Sequence, residues 1–136
     1  YFSKLAIEQA LENTTIEILQ RQIQVRYLAG DLIWFDFAQI CDGPRSQNDY
    51  IEIAKIYHSV FISNIPQLDA TYDSQTLRFI YLIDEFYDRG VKLVISAAAS
   101  ANDLYSGDNL KFEFARAQSR LHEMQSKQYL ALEHQA

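Results

Sequence analysis

The sequence predicts an α/β domain with a mixed, partly parallel sheet flanked by helices, an N-terminal β-hairpin-like element and a long C-terminal helix. Three observations support this prediction. Polar and apolar residues alternate over 21–28, as in a strand with one buried face. Apolar runs and segments with helical spacing then follow each other over 32–97, an order typical of parallel strands joined by crossover helices. Apolar residues finally recur every three or four positions over 110–132.

The first element that we expect is a short helix over residues 4–12, "KLAIEQALE", in which Leu5, Ile7 and Leu11 are the main apolar groups. A helix of this length needs packing partners to be stable. The next stretch, "TTIEIL", alternates only weakly. It therefore gives a weaker indication of a strand.

A clean alternation follows in "RQIQVRYL", which places Ile23, Val25 and Tyr27 on one face of a half-buried strand. The tripeptide "AGD" at 29–31 predicts a turn, and "LIWFDF" a third strand. The first third of the chain is thus predicted to be a small antiparallel element.

Helical signals begin at Ser46, a good N-cap residue, with Asp49 three positions later in the place of a capping box. Apolar residues with helical spacing follow, namely Tyr50, Ile53, Ala54 and Tyr57. The run "SVFISNI" then predicts a central buried strand.

A second crossover helix is predicted after Asp73 or Ser74, either of which can cap it. Gly90 is expected to end this helix, because glycine tolerates the left-handed conformation of a helix stop. The strand "VKLVISAAA" comes next. The apolar stripe of the helix consists of Phe79, Leu82, Ile83, Phe86 and Tyr87, and that of the last helix consists of Leu110, Phe114, Ala117, Leu121 and Met124.

Length and charge limit the possible functions. The chain has 136 residues, which fits a single domain over 1–136, and a formal net charge of -6 without a long basic run. This charge argues against nucleic acid or an anionic membrane as the main partner.

The sequence also gives indications of the compartment. One cysteine, Cys41, fits a reducing compartment such as the cytoplasm. No apolar run reaches the length of about 18 residues that spans a bilayer, and no signal peptide is recognisable. Because the chain starts at Tyr1 rather than at Met, we expect it to be part of a longer protein.

The segment "CDGPRSQND" has the outline of a phosphate-binding loop, because it lies between a strand and a helix. It contains one glycine and no lysine, and Pro44 has no N–H to offer. A capped turn explains the same residues, although an anion at the helix N-terminus remains an alternative. The chain is therefore expected to bind neither a nucleotide nor a metal ion by itself.

Other polar groups also have ordinary structural interpretations. Asp84 and Glu85 imitate the acidic motif of ATPases but fall within the strongest helical stripe, which favours a solvated helix face. The three histidines lack the spacing of a zinc site. Charged residues of both signs follow one side of the last helix and predict either a solvated face or a docking surface. They are Glu113, Arg116, Arg120, Glu123 and Lys127.

Three segments together resemble the C-terminal part of the AFG-type ATPases, a family of P-loop proteins of the AAA+ type. They are "CDGPRSQNDYIEIAKIYHSVFISNIP", "RFIYLIDEFYDRGVKLVISA" and "LKFEFARAQSRLHEMQSKQYL", so the resemblance covers about residues 30–134. The positions that match family motifs include Pro44, Ser46, Asp49, Tyr50, His58, Glu123, Met124 and Gln125.

The resemblance implies that the ATP- and Mg²⁺-binding part lies upstream of this chain, and that this chain contains no catalytic residue. It also implies a role in bacterial cell division at the inner face of the membrane. The implied partner is FtsZ, the tubulin-like ring protein. The mitochondrial relatives in this family are linked to protein quality control. Further expected partners are the protein's own N-terminal ATPase domain and other copies of the chain, with at most a peripheral membrane association.

We name Arg45, Arg78 and Arg120 as candidates that reach a neighbouring subunit's nucleotide, because they lie in these motifs. An alternative function is a stand-alone docking module without a link to ATP hydrolysis, which an exposed groove beside the last helix would favour. A small enzyme that uses Cys41 or a carboxylate pair is a third hypothesis.

Overall fold

A computed structural model describes residues 11–43 and 45–124 of the chain. Within these residues, five strands form one sheet in the order β1-β2-β3-β4-β5, so that each strand lies next to its neighbour along the chain. The strands are β1 (Leu11–Ile18), β2 (Arg21–Ala29), β3 (Leu32–Asp36), β4 (Ser59–Ile65) and β5 (Lys92–Ala97). The helices are α1 (Phe37–Cys41), α2 (Gln47–Ile56), α3 (Asp73–Asp88) and α4 (Lys111–Glu123).

The sheet is mixed, as the sequence predicts. The pairs β1–β2 and β2–β3 are antiparallel, whereas β3–β4 and β4–β5 are parallel. The helices α1 and α2 connect the first parallel pair, and α3 connects the second. The predicted α/β class with its N-terminal hairpin and C-terminal helix is therefore confirmed.

Within the described residues, the helices pack on one face of the sheet. The buried residues of all four helices share one core cluster with Ile33 and Phe35 of β3 and with Val60 and Ile62 of β4. Side chains of a strand alternate between faces, so Leu32 and Trp34 of β3 point to the opposite face. They belong to a second, smaller cluster around Ala29 that contains no helix residue within the described ranges.

Several boundaries differ from the prediction. Leu11 and Glu12 begin β1 rather than end a helix, because they pair with Leu28 and Tyr27 of β2; residues 4–10 of the predicted helix lie outside the described residues. The third strand ends at Asp36, and Phe37 already starts α1.

The prediction that Ile23, Val25 and Tyr27 share one face of the strand is wrong for Tyr27. Ile23 and Val25 lie in the main core, whereas Tyr27 packs in the second cluster. The strand therefore turns its side chains from one face of the sheet to the other near Tyr27. On the neighbouring strand, Asn13 has a φ of 50°, an irregularity at the same level of the pairing.

The helix ends follow the sequence signals with one exception. Ser46 and Asp49 form the predicted capping box of α2, and Gly90 has the expected left-handed φ of 70° after α3. The N-cap of α3 is Tyr72, not Asp73 or Ser74, because a 3₁₀ turn over Ala70–Tyr72 precedes it. The last helix ends at Glu123 with Met124 as its C-cap, and residues 125–132 of its predicted span lie outside the described residues.

Candidate functional site

The turn between α1 and α2 brings together two of the three predicted arginines. Arg45 donates from Nε to the carbonyl oxygen of Gln39 at 3.0 Å. Arg78, which α3 contributes, donates from Nη1 to the carbonyl oxygen of Cys41 at 3.2 Å. Both acceptors lie at the C-terminal end of α1, where carbonyl groups lack partners within the helix. The two guanidinium groups thus cap the end of α1.

The carboxylate of Asp49 holds the start of α2. Asp49 is 1% exposed, and its Oδ2 accepts a hydrogen bond from the Ser46 N–H at 2.7 Å. The same oxygen lies 3.1 Å from Nη2 of Arg21, which links α2 to the β1–β2 hairpin. The other oxygen, Oδ1, is buried without a hydrogen-bond partner. Asp49 therefore uses the helix N-terminus that a phosphate would need, and Pro44 of this turn lies outside the described residues.

Tyr50 and Cys41 lie beneath this turn, in the core. The Tyr50 hydroxyl donates to the carbonyl oxygen of Ile40 at 2.8 Å. Burial, followed by the interaction with Cys41, raises the pKa of Tyr50 above its ordinary value of 10.0. Burial likewise raises the pKa of the Cys41 thiol above 9.0. Since the thiolate is the reactive form, these surroundings argue against a nucleophilic role of Cys41.

The third arginine, Arg120, lies apart from the other two, between α3 and α4. It pairs with Oδ1 of Asp84, and Arg116 approaches Oδ2 of the same carboxylate at 3.4 Å. The Arg120 guanidinium also lies 5.2 Å from the centre of the Tyr87 ring. Asp84 therefore joins the two helices, and the predicted charged stripe is partly an interhelical contact.

The predicted solvated face at Asp84 and Glu85 is wrong. Glu85 is 8% exposed and accepts hydrogen bonds from Gln47 at 2.6 Å and from Arg89 at 2.8 Å. Both carboxylates hold helices in place because their partners come from neighbouring turns and helices. Within the described residues, no group of three or more His, Cys, Asp or Glu side chains is arranged to hold a metal ion.

The remaining motif positions are dispersed. His58 precedes β4, and its backbone N–H donates to the carbonyl oxygen of Asp31. Glu123 is exposed at the end of α4, whereas Met124 is 1% exposed in the core. Gln125 lies outside the described residues. The family motifs therefore map mainly to contacts that hold the domain together.

The sheet face without helices carries a feature that the sequence analysis missed. Tyr27, Trp34, Phe61 and Val94 occupy directly paired positions on four successive strands. We call these four residues the aromatic row. Val94 is 49% exposed, and the other three are half-buried. The alternation within "LIWFDF" and "SVFISNI" was the available signal, but strand register is needed to align the residues.

A polar network borders the aromatic row at the C-terminal ends of β3 and β4. Oδ1 of Asp36 accepts hydrogen bonds from Asn64 at 2.8 Å, Ser63 at 3.0 Å and Arg26 at 3.1 Å. The Trp34 indole donates to the Ser63 hydroxyl at 2.8 Å. The Arg26 guanidinium lies 4.5 Å from the centre of the Trp34 ring. The network thus fixes the orientation of one arginine at the edge of an apolar surface.

A groove of about 410 Å³ lies beside the last helix, between α3 and α4. Phe112 stands at its border with 85% of its surface exposed. Charged groups of both signs flank an apolar floor, and the lining consists of Leu77, Ile80, Tyr81, Asp84, Phe112, Glu113 and Arg116. This is the kind of groove that the docking alternative predicts.

No helix of the described ranges has the length and apolar character to cross a membrane.

Comparisons with known proteins give one family and several similar proteins. The family model of the AFG1-like ATPases matches residues 1–133. The cell division protein ZapE of Escherichia coli (strain K12) is 43% identical over 122 residues, which are 90% of this chain and 32% of that protein. Lactation elevated protein 1 homolog B of Danio rerio is 30% identical over 125 residues, or 90% of this chain and 25% of its own length.

The uncharacterized protein C115.02c of Schizosaccharomyces pombe is 36% identical over 90 residues, or 66% of this chain and 20% of that protein. No solved structure matches. The chain thus spans about a third or less of the length of these relatives.

Proposed function

Because the chain belongs to the AFG1-like ATPase family, we propose that it is the C-terminal part of a longer ATPase that acts in cell division. The upstream part binds ATP and Mg²⁺ in this proposal, and the present domain supports hydrolysis by packing against that part. The name of the similar Escherichia coli protein supports the role in division. The expected location is the cytoplasm, with the division site at the inner face of the membrane as the place of action.

The observation that supports this function best is the sheet face on which the described residues place no helix. Parallel strands are usually covered on both faces, because both faces are apolar. Among the described residues the helices cover one face, and on the other face Val94 of the aromatic row is 49% exposed and the rest of the row is half-buried. A protein surface is therefore its natural cover. The upstream ATPase part is the occupant that we propose, since the relatives are about three times as long as this chain or longer.

A substitution in the aromatic row tests this contact. Val94→Asp should change the free energy of unfolding of the 136-residue chain by less than about 0.5 kcal/mol, because Val94 is already 49% exposed there. In the full-length protein the same change buries a carboxylate in an apolar contact, which costs several kcal/mol. We expect lower ATP turnover and a lower melting temperature of this domain in the full-length protein only.

Gln24→Asp is the matched control, because it adds the same charge at an exposed β2 position outside the aromatic row. It should leave both proteins unchanged. An equally small effect of Val94→Asp in the full-length protein would refute the proposed contact.

The present domain is not expected to bind ATP itself, since the N-terminus of α2 already has the Asp49 carboxylate as its acceptor. A like-charged phosphate at that position would be repelled. Addition of MgATP to the 136-residue chain should leave its melting temperature unchanged. A nucleotide present at 100 times its dissociation constant would add about 2.7 kcal/mol, a shift that calorimetry detects easily.

Arg45, Arg78 and Arg120 remain candidates for groups that reach the nucleotide of a neighbouring subunit in a homo-oligomer. Arg45 and Arg78 lie at the same end of α1, whereas Arg120 would have to leave Asp84. The test is the conversion of each arginine to Ala in the full-length protein. Unchanged ATP turnover in all three variants would end this hypothesis.

A second candidate function is the docking of a partner protein in the groove beside α4, and the exposure of Phe112 favours it. FtsZ is the partner that the family resemblance implies. A pull-down with the 136-residue chain tests this function, with Phe112→Ser as the variant that should lose the partner. Exposed Leu19, on the β1–β2 turn, supplies the control variant Leu19→Ser. If the unchanged 136-residue chain did not retain the partner protein in the pull-down, the docking function would be refuted and the role of the domain would be architectural.

A further inference from the structure

We propose that Arg26 is the charged anchor of the contact between this domain and the upstream ATPase part, where it binds a carboxylate. This inference rests on the proposed function, because it assigns chemistry to the contact at the aromatic row. Arg26 is not among the arginines that the family motifs indicate. The role that we propose for Arg26 follows from the position of its side chain alone.

The guanidinium of Arg26 is held in one orientation before any partner binds. One face of it lies over the Trp34 ring, at 4.5 Å from the ring centre. Nη1 donates to Asp36 at 3.1 Å and approaches the Ser63 hydroxyl at 3.3 Å. Ser63 is itself fixed by its bonds to Trp34 and Asp36. A side chain that is already ordered loses little conformational entropy when a partner arrives.

This geometry leaves one edge of the guanidinium available. Arginine has five N–H donors in a planar fork. Within residues 11–43 and 45–124, only Nη1 of Arg26 has hydrogen-bond partners, so the donors on Nε and Nη2 have none in that part of the chain. The side chain is 42% exposed. A planar group with two acceptor oxygens fits such an edge with two parallel hydrogen bonds.

A carboxylate on a protein surface fits this site better than a nucleotide phosphate. Asp36 lies 3.1 Å from Arg26, and this nearby negative charge repels the several charges of a polyphosphate more than the single charge of a carboxylate. The adjoining surface is the aromatic row, which requires apolar side chains from its partner. The partner is therefore a protein segment that presents one acidic residue beside an apolar patch.

The test compares full-length protein with the 136-residue chain by calorimetry. Docking raises the melting temperature of this domain in the full-length protein, and the size of that increase is the readout. Arg26→Gln should reduce the increase and raise the undocked fraction about tenfold or more, as is typical for the loss of a charged hydrogen bond. Arg26→Lys should restore only part of it, because an ammonium group cannot form two parallel bonds. High salt should weaken docking of the unchanged protein more than that of Arg26→Gln.

Three outcomes would overturn the anchor. Equal losses in the full-length protein and the 136-residue chain would give Arg26 a purely internal role. If Arg26→Gln raised the KM for ATP but left the increase in melting temperature on docking unchanged, the anion that Arg26 binds would be a nucleotide phosphate. Unaltered docking in Arg26→Gln, with docking lost in Val94→Asp, would remove the anchor and leave the proposed function standing. Unaltered docking in Val94→Asp would instead refute the proposed function itself.

Discussion

Replacement of Tyr50 by Phe removes one oxygen atom from the core and leaves the ring in place. Tyr50 is fully buried, and its hydroxyl donates to the carbonyl oxygen of Ile40 at 2.8 Å. Ile40 lies in the last turn of the five-residue helix α1, where carbonyl groups have no partner within the helix. The substitution therefore leaves a buried carbonyl group without this hydrogen bond.

The expected loss is about 1–3 kcal/mol, the penalty for a buried polar group that loses its partner. No cavity term is added, because Phe has nearly the same shape. For a domain of this size, 1 kcal/mol corresponds to a shift in melting temperature of roughly 3–5 °C. The effect should be measured by urea unfolding at pH 7 and by a thermal scan.

A second consequence concerns alkaline pH. Burial raises the pKa of Tyr50 above 10.0 and that of Cys41 above 9.0 in the folded chain. Well below pH 9 both groups are protonated in the folded and unfolded states. Above these values the unfolded chain releases protons that the folded chain keeps. The free energy of unfolding then falls by about 1.4 kcal/mol per pH unit for each group. Tyr50→Phe should remove the additional slope above pH 10.

Tyr81→Phe is the matched control, because Tyr81 lies on α3 with 37% of its surface exposed. It should change the stability by less than about 0.5 kcal/mol. If Tyr50→Phe were as stable as this control at pH 7, the Ile40 hydrogen bond would not contribute as inferred. An unchanged slope above pH 10 would contradict the effect of burial on the Tyr50 pKa.

Two further substitutions test contacts between secondary-structure elements through their effect on stability. Arg21→Gln should lower the free energy of unfolding by about 1–3 kcal/mol, because the 1%-exposed Asp49 loses its cation at 3.1 Å. The control Lys111→Gln breaks an exposed ion pair and should change the free energy of unfolding by less than about 1 kcal/mol. Equal urea midpoints for the two variants would contradict this prediction. Gly107→Ala places a Cβ 2.5 Å from the Tyr105 hydroxyl oxygen, which bonds to Asp73. A cost of about 1–3 kcal/mol should appear in thermal scans, and a variant as stable as the exposed Ser106→Ala would disprove this strain.

The sequence predicted the parallel part of the sheet well for a physical reason. "SVFISNI" is apolar on both sides and lies between helical stripes, and a central strand is the arrangement that buries such a segment. The capping box at Ser46 was also readable, because caps depend on residues three positions apart. These features are local, so one stretch of sequence contains all the information.

The features that the sequence did not indicate depend on distant pairing. The alignment of Trp34 with Phe61 follows from the register of two strands that α1 and α2 separate. The network at Asp36 likewise joins residues up to 37 positions apart. The change of face at Tyr27 also escaped prediction, since a regular alternation does not reveal where a strand twists. Sites of this type exist only once distant strands have paired.

The linear strand order has a consequence for the route of folding. Every strand pairs with its predecessor along the chain, so each pairing needs only the preceding strand and the connection between the two. The two antiparallel pairs close short turns, whereas each parallel pair has to close a connection that contains a helix, so we expect the parallel pairs to form more slowly. The sheet can grow by successive addition from the hairpin towards β5. A chain emerging from the ribosome meets each new partner in the order in which it is synthesised.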